Sequence, residues 1–254
     1  MRILTLNLRA GGGTRIAALA DHIRRAEPDL AVLTEFRATA PSQSLLRSLK
    51  DEFPHVHCNL APAPSSNGVA VISRHALRAE SVTGVIAGEG HRWAEVVLPV
   101  QGIRVVGLYV PGSGDTAQTR AFKARFWAAM LDAAPSLAEG RTVVIGDVNT
   151  GQHQIDETGA TFLCADQFEE FGKVLVDAWR ETNGADAREP SWYSHVQNGF
   201  RIDHAFVSPS LAQSIKGCWY DHAPRRARST DHSMLLLDLE TGPSRHARPV
   251  AAGA

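Results

Sequence analysis

The sequence predicts a protein of the α/β (α+β) class, with two mixed, mostly antiparallel sheets packed face to face and helices on the outside. Two observations carry this expectation. Runs of apolar and β-branched residues short enough to be strands outnumber the stretches with helical spacing, and several of these runs follow one another directly. A doubly wound parallel sheet needs a helix after nearly every strand, so that class matches poorly.

Each element has its own reason. RILTLNL (2–8) alternates apolar and polar residues, the pattern of a half-buried strand. Gly11, Gly12 and Gly13 break it. Ile16, Leu19, Ala20 and Ile23 then fall on one helical face that ends before Pro28. LAVLTE (30–35) reads as a buried strand and residues 42–49 as a short helix. GVAVIS (68–73), AEVVLP (94–99) and IRVVGLYV (103–110) are three more strands, set off by Gly and Pro. Phe122, Phe126, Met130 and Ala133 mark a long amphipathic helix between Thr116 and Ala134. TVVIGDVN (142–149) reads as a strand buried on both faces, in which Gly146 lets the strand stop abruptly. The chain as far as Lys173 is expected to be helical or irregular. VLVDAWR (174–180), RIDHAFVSP (201–209) and SMLLLDLE (233–240) close the pattern. One domain over 1–240 is expected, followed by a disordered tail at 241–254, which has no periodicity.

Composition removes several function classes. The chain has 254 residues, 44% hydrophobic and 21% charged, the make-up of a soluble globular domain, and no apolar run reaches the length of a membrane span. Cys58, Cys164 and Cys218 are widely spaced with no CxxC pair, which argues against a disulfide framework or zinc site and for a reducing cytoplasm. MRILTLNLR has no secretory leader. With a net charge of −1, any contact with a polyanion must come from local patches.

The informative feature is where acids stand. Four apolar runs meet polar residues at a boundary: Asn7, Glu35, Asp147 with Asn149, and Asp231-His232. A fifth run, RIDHAF, carries Asp203 near its start. Taken singly, each is a turn residue, since Asp and Asn side chains bond nearby backbone. Taken together, carboxylates gathered on one rim of a sheet repel one another unless a cation sits among them. Oxygen donors of this kind suit Mg²⁺, with Mn²⁺ able to substitute. Such an ion can hold a phosphate oxygen, and a histidine with a spare aspartate can move protons, so the set points to metal-assisted phosphodiester hydrolysis.

The segments LNLR, LTEF, GVAVIS, LYVP, GDVN, VDAWR, SWYS, RIDHAFVS and STDHS, in this order, resemble the endonuclease/exonuclease/phosphatase superfamily, and most of all its exonuclease III-type abasic-site (AP) endonucleases. GDVN followed by RIDH and STDHS at these separations is the specific part. The resemblance runs from Arg2 to about Glu240. It implies a DNase I-like, four-layer αββα sandwich. It also implies roles: Glu35 as principal metal ligand, with Asn7, Asp231, Asp147 and Asn149 around the same site. Asp147 resembles the acid that activates water or handles the leaving-group proton, and Asn149 the amide that holds a phosphate oxygen. His232 resembles the histidine on the scissile phosphate, with Asp203 orienting its ring, and Tyr109 the tyrosine near that phosphate.

Trp192 and Tyr193 stand where the family has an aromatic loop near the sugar, so Trp192 is expected either to meet substrate or to pack the loop. Arg225, Arg226 and Arg228, just before Asp231-His232, form the one dense basic cluster and read as a backbone clamp, with Arg9 near the metal rim. The family's Asn-x-Asn-Gly-Leu-Arg opening is replaced here by Asn7-Leu8-Arg9-Ala10 and three glycines, and the connection PGSGDTAQT is short. The expected activity is a Mg²⁺-dependent DNA nuclease, 3′-to-5′ exonuclease, AP endonuclease or both, a monomer acting on duplex DNA without a membrane partner. The alternatives are a phosphatase or phosphodiesterase for another phosphate ester, and an inactive binding module of the same fold.

Overall fold

The computed structural model describes residues 1–61, 63–80, 89–159 and 161–241. The expected tail, from residue 242 on, lies outside them.

The chain begins β1 (Arg2–Asn7), α1 (Ile16–Ala26), β2 (Leu30–Phe36), α2 (Ala40–Ser48), β3 (His55–Asn59) and β4 (Gly68–Ser73). It continues with β5 (Arg78–Ala79), β6 (Trp93–Leu98), β7 (Ile103–Tyr109), α3 (Ala117–Ala138) and β8 (Thr142–Asp147). Next come α4 (Ala165–Val174), β9 (Val176–Asp177), α5 (Ala178–Asn183), β10 (Trp192–Tyr193) and β11 (Gly199–Phe200). The last elements are β12 (Asp203–Val207), α6 (Pro209–Ala212), β13 (Ile215–Asp221), α7 (Ala223–Arg226) and β14 (Met234–Leu239).

Two six-stranded sheets result, in the orders β13-β14-β1-β2-β4-β3 and β5-β6-β7-β8-β12-β9, with β10-β11 as a separate ribbon. Each sheet has one parallel pair, β1 with β2 and β7 with β8, joined through α1 and α3; the other pairings are antiparallel. Period-two alternation sorts the apolar residues into three layers. Ile3, Val32, Val105, Ile145 and Leu235 meet between the sheets. Leu4, Leu33 and Leu236 face α1 and α2, through Leu19, Ile23 and Leu45. Val106, Val144 and Phe206 face α3 and α4, through Trp127, Met130 and Phe171. Helix, sheet, sheet, helix is the four-layer sandwich expected. Gly107 allows the close approach at its centre, because a Cβ there would stand 2.8 Å from Val32 Cγ1 and 3.0 Å from Val69 Cγ1.

Some elements differ from expectation. VLVDAWR is not one strand: Asp177 ends β9 and caps α5, its Oδ1 accepting from Trp179 N at 3.0 Å and Arg180 N at 3.1 Å. Trp179 therefore packs into the core from a helix. β3 and β13 were not expected; both are edge strands with partly exposed patterns, and edges need no continuous apolar run. The buried face of α3 is rotated, running through Lys123, Phe126, Trp127, Met130, Ala134 and Leu137, with Phe122 only half-buried. Gly146 does not stop β8, which continues to Asp147. It is required within the strand, since with φ +155° a Cβ would lie 2.0 Å from the Leu108 carbonyl oxygen of the neighbouring parallel strand.

Candidate active site

The parallel pairs and their antiparallel neighbours bring strand ends to one rim. Asn7 ends β1, Tyr109 ends β7 and Asp147 ends β8, while Asp203 begins β12. Register places Asp147 opposite both Tyr109 and Asp203. Glu35 sits in β2 where pairing with β4 shifts between Thr34 and Phe36, and its φ is +52°. A bulge of this kind turns the carboxylate off the strand's alternation. Asn149 follows the strand end with φ +49°, so its side chain also leaves the regular direction.

Asp147, Asp203 and His232 bring one donor atom each within 4.8 Å of one another, and all three are buried. His232 Nδ1 lies 2.9 Å from Asp203 Oδ2. Asp203 is held by its backbone, its N donating to Ser191 Oγ at 3.2 Å and its carbonyl accepting from Tyr220 Oη at 2.5 Å. The other oxygen of Asp203, Oδ1, is buried with no hydrogen-bond partner among the described residues. Asn7 Nδ2 donates to Asp147 Oδ2 at 2.9 Å, across 140 positions of chain, and Asn149 N donates to Asp147 Oδ1 at 3.0 Å. The Asn7 amide oxygen accepts from Arg9 N at 2.7 Å.

Glu35 Oε2 accepts from Ala10 N at 2.6 Å and Oε1 from Tyr109 Oη at 3.2 Å; Tyr109 in turn accepts from Asn67 Nδ2 at 3.2 Å. Asn149 Nδ2 donates to the Val110 carbonyl at 2.9 Å, which leaves one amide N–H for another acceptor.

The electrostatics follow from burial and spacing. Burial pushes the Asp147 carboxyl up to about 7; Asp203 and Glu35 push the same way, while His232 and the Asn7 amide oppose them. Burial alone would lower His232, yet the Asp203 carboxylate beside it, with Asp147 and Asp231, raises it to about 10. Burial, then Glu35 and Asp147, drive the Tyr109 phenol well above its ordinary range. The neighbouring carboxylates therefore favour the charged imidazolium of His232, a form suited to meeting an anion.

The remaining expected residues lie next to this centre. Asp231 Oδ2 accepts from Trp192 Nε1 at 3.2 Å, and Asp231 Oδ1 is 3.9 Å from Arg9 Nε. Trp192 thus packs against the site itself, its ring 5.7 Å from that of Phe200. Asp231, Arg9, Arg225 and Arg228 share a cavity wall with Tyr193, whereas Arg226 is exposed and stands outside that wall.

Residues with no place in the sequence reading support the rim. Lys123, fully buried, donates to the Asn149 carbonyl and, at 3.1 Å, to Ser113 Oγ, so α3 clamps the turn that carries Asn149. Thr230 Oγ1 donates to the Asn7 carbonyl at 2.8 Å, tying the end of β1 to the segment before His232. Arg201 is buried among Asp156, Asp177 and Trp179. A lysine on the apolar face of a helix was the one available signal for Lys123; Thr230 and Asn67 carry none.

Against known proteins, residues 4–232 match the model of the Endonuclease/Exonuclease/phosphatase family. The chain belongs to that family, whose fold is that of hydrolases. Among solved structures it is similar to an AP endonuclease from Archaeoglobus fulgidus, with 19% identity, a TM-score of 0.79, and 94% of this chain and 99% of the other covered. It is also similar to the 3′-5′ exonuclease NExo from Neisseria meningitidis, with 21% identity, a TM-score of 0.78 and coverage of 94% and 100%. The 3′ phosphatase NExo from Neisseria bound to product DNA hairpin aligns at 20% identity with a TM-score of 0.77, covering 94% and 99%. No curated protein matches by sequence. No helix among the described residues is long and apolar enough to cross a membrane.

Proposed function

We propose that the protein is a Mg²⁺-dependent phosphodiester hydrolase that acts on DNA in repair, as a 3′-to-5′ exonuclease, an AP endonuclease or both. The observation that carries this reading is the meeting of Asp147, Asp203 and His232, from three separate segments, beside Glu35 and Asn7. The reading takes residues 1–240 as one catalytic domain, working as a cytoplasmic monomer on duplex DNA.

A divalent cation fits the donors present. Glu35 and Asp203 stand close enough to Asp147 to raise its affinity for a proton, Asp203 Oδ1 is buried without a partner among the described residues, and His232 is the cation that the cluster meets. Glu35 would be the principal ligand, with Asn7, Asp147, Asn149 and Asp231 bordering the site; Mn²⁺ would substitute for Mg²⁺. When bound, the ion supplies Lewis-acid neutralisation of phosphate charge.

The chain's own groups do the rest. Asp147, held in orientation by Asn7 and Asn149, takes a proton from the attacking water. His232, fixed through Nδ1 by Asp203, presents its Nε2–H to a phosphate oxygen as charge develops there. The free amide N–H of Asn149 and the hydroxyl of Tyr109 meet the same phosphate. Trp192, Arg9, Arg225 and Arg228 hold the flanking strand, and Arg226, outside their wall, takes no part.

A panel of abasic-analogue, nicked, recessed-end and single-stranded DNA, assayed with Mg²⁺, Mn²⁺ and EDTA, tests this. Metal-dependent cutting of at least one DNA, abolished by EDTA, is expected. Cutting that survives chelation, or hydrolysis of small phosphate esters with every DNA left intact, overturns it.

A further inference from the structure

Asp231, next to His232 in the chain, forms part of the wall of a cavity of about 360 Å³ with Arg9, Tyr193, Gln197, Arg225, Arg228 and Thr230. Three guanidinium groups share this concavity, in a chain whose net charge is −1. Among the described residues the single carboxylate in the wall is Asp231, which already accepts from Trp192 and has Arg9 3.9 Å away. The excess positive charge is therefore local and unneutralised, and it lies beside His232.

Arg225 is built into this wall rather than draped over it. Its Nε donates to Ser233 Oγ at 3.1 Å, and its Cζ lies 4.6 Å from the centre of the Tyr193 ring. Ser233 is fully buried, its Oγ 2.7 Å from His222 Nδ1, and His222 Nε2 lies 2.9 Å from Glu189 Oε1. One edge of the guanidinium is thus anchored through a chain of polar groups. Its two terminal nitrogens have no partner among the described residues. An arginine already held in place loses little rotamer freedom when it grips a ligand. Its planar fork matches two oxygens of one phosphate.

We propose that this cavity is a subsite for a second phosphoryl group, carried by the substrate beside the phosphate being hydrolysed, with Arg225 as its main ligand and Arg9 and Arg228 completing the neutralisation. This rests on the reading of the rim as a phosphodiester-cleaving centre. It adds that a preferred substrate bears phosphates on two neighbouring sugars, the second being the next backbone diester or a terminal monoester.

Calorimetric titration of the full chain in EDTA, where ligands stay intact, with d(TpT), d(pTpT), d(TpTp) and d(TpTpT) tests it. At least one ligand with a second phosphate is expected to bind about tenfold or more tightly than d(TpT). The advantage is expected to vanish in Arg225→Gln and to survive in part in Arg225→Lys, which keeps the charge but not the fork; circular dichroism checks that both variants are folded. An advantage confined to d(pTpT) or d(TpTp) assigns a terminal monoester. One shared by d(TpTpT), and lost when its second linkage is a neutral methylphosphonate, assigns the backbone diester. Equal affinity for all four ligands overturns the proposal, and so does an advantage that persists in Arg225→Gln. DNA cutting by a protein with no such advantage removes the subsite and leaves the nuclease reading standing; the advantage without cutting of any DNA does the reverse.

Discussion

Two buried charge clusters sit two residues apart in the chain and behave in opposite ways. Arg201, just before β12, gives Nε to Asp156 Oδ1 at 2.6 Å and Nη2 to Asp156 Oδ2 at 3.1 Å and Asp177 Oδ2 at 2.7 Å, while Arg180 bonds Asp156 as well. Two arginines meet two carboxylates, so although burial opposes its charge, Asp177 is held well below the usual carboxylate range, chiefly by Arg201 and then His204. At Asp203, which opens β12, the balance differs. Asp147, Asp203 and Glu35 face one imidazolium, and Asp147 is pushed up to about 7. Both clusters lie largely out of solvent, Asp177 somewhat less deeply than Asp147 and Asp203, and the count of partners sets the direction of each shift. A carboxylate with full partners is a structural fastening. One left short of positive charge is poised to take a proton or to share a cation.

That contrast can be broken most sharply at Asp147. Asp147→Asn is expected to lower turnover by a factor of about 10²–10⁴, the usual worth of a general base, measured as metal-dependent cleavage of the best DNA in the panel. Stability should move the other way. The folded-state pKa of Asp147 lies above its ordinary value of 3.8, so its burial favours folding at low pH and that advantage is lost as pH rises toward 7. Above pH 7 in EDTA the wild type keeps a buried charge that the asparagine lacks. The Tm of Asp147→Asn is therefore expected to equal or exceed that of the wild type at pH 8, and a clear fall would show that Asp147 is a fastening after all.

The complementary change is Arg201→Met. Removing one partner from a buried ion network leaves carboxylates uncompensated, at a cost of about 3–5 kcal/mol. Since a domain's whole stability is about 5–15 kcal/mol, denaturant unfolding should show a large shift of midpoint. A loss under about 1 kcal/mol would mean that Asp156 and Asp177 find other partners and that the two clusters differ less than their geometry indicates.

The pH profile of kcat/KM gives the smallest effect and sharpens the assignment. Asp147 must be ionised and His232 protonated, so activity should rise through a limb at or below about 7 and fall through one near 10. A bound cation favours the carboxylate, which can only move the acid limb down. In Asp203→Asn the imidazolium loses its main support, and the upper limb should move toward the ordinary histidine value of 6.5. An upper limb unmoved by that change would remove His232 from the proton inventory.

Much of the fold was legible because strand signals are local. RILTLN alternates, while LAVLTE, GVAVIS and TVVIGD are short apolar runs, and in any strand the side-chain period of two puts one set between the sheets and the other under a helix whatever lies elsewhere in the chain. VLVDAWR misled for the same reason: its apolar letters suit a strand, but Asp177 bonds two following backbone amides and starts a helix. Edge strands β3 and β13 were invisible because half of each faces solvent.

The candidate site divides along the same line. That Asn7, Glu35, Asp147, Asp203 and Asp231-His232 stand at boundaries of apolar runs is a property of the sequence, and so is the family order of their motifs. The sequence could not say what each charge would meet. The bond from Asn7 to Asp147 spans 140 residues, Lys123 reaches the Asn149 carbonyl from the buried face of α3, and Arg225 is fixed by Ser233, His222 and Glu189. Side-chain type and spacing are written along the chain, and with them the layers and the acids available at their rim. A carboxylate's affinity for a proton or a cation depends on the field of neighbours a few ångströms away. Those neighbours are chosen by sheet register and helix packing, so only the tertiary structure decided which acids are fastened and which are poised.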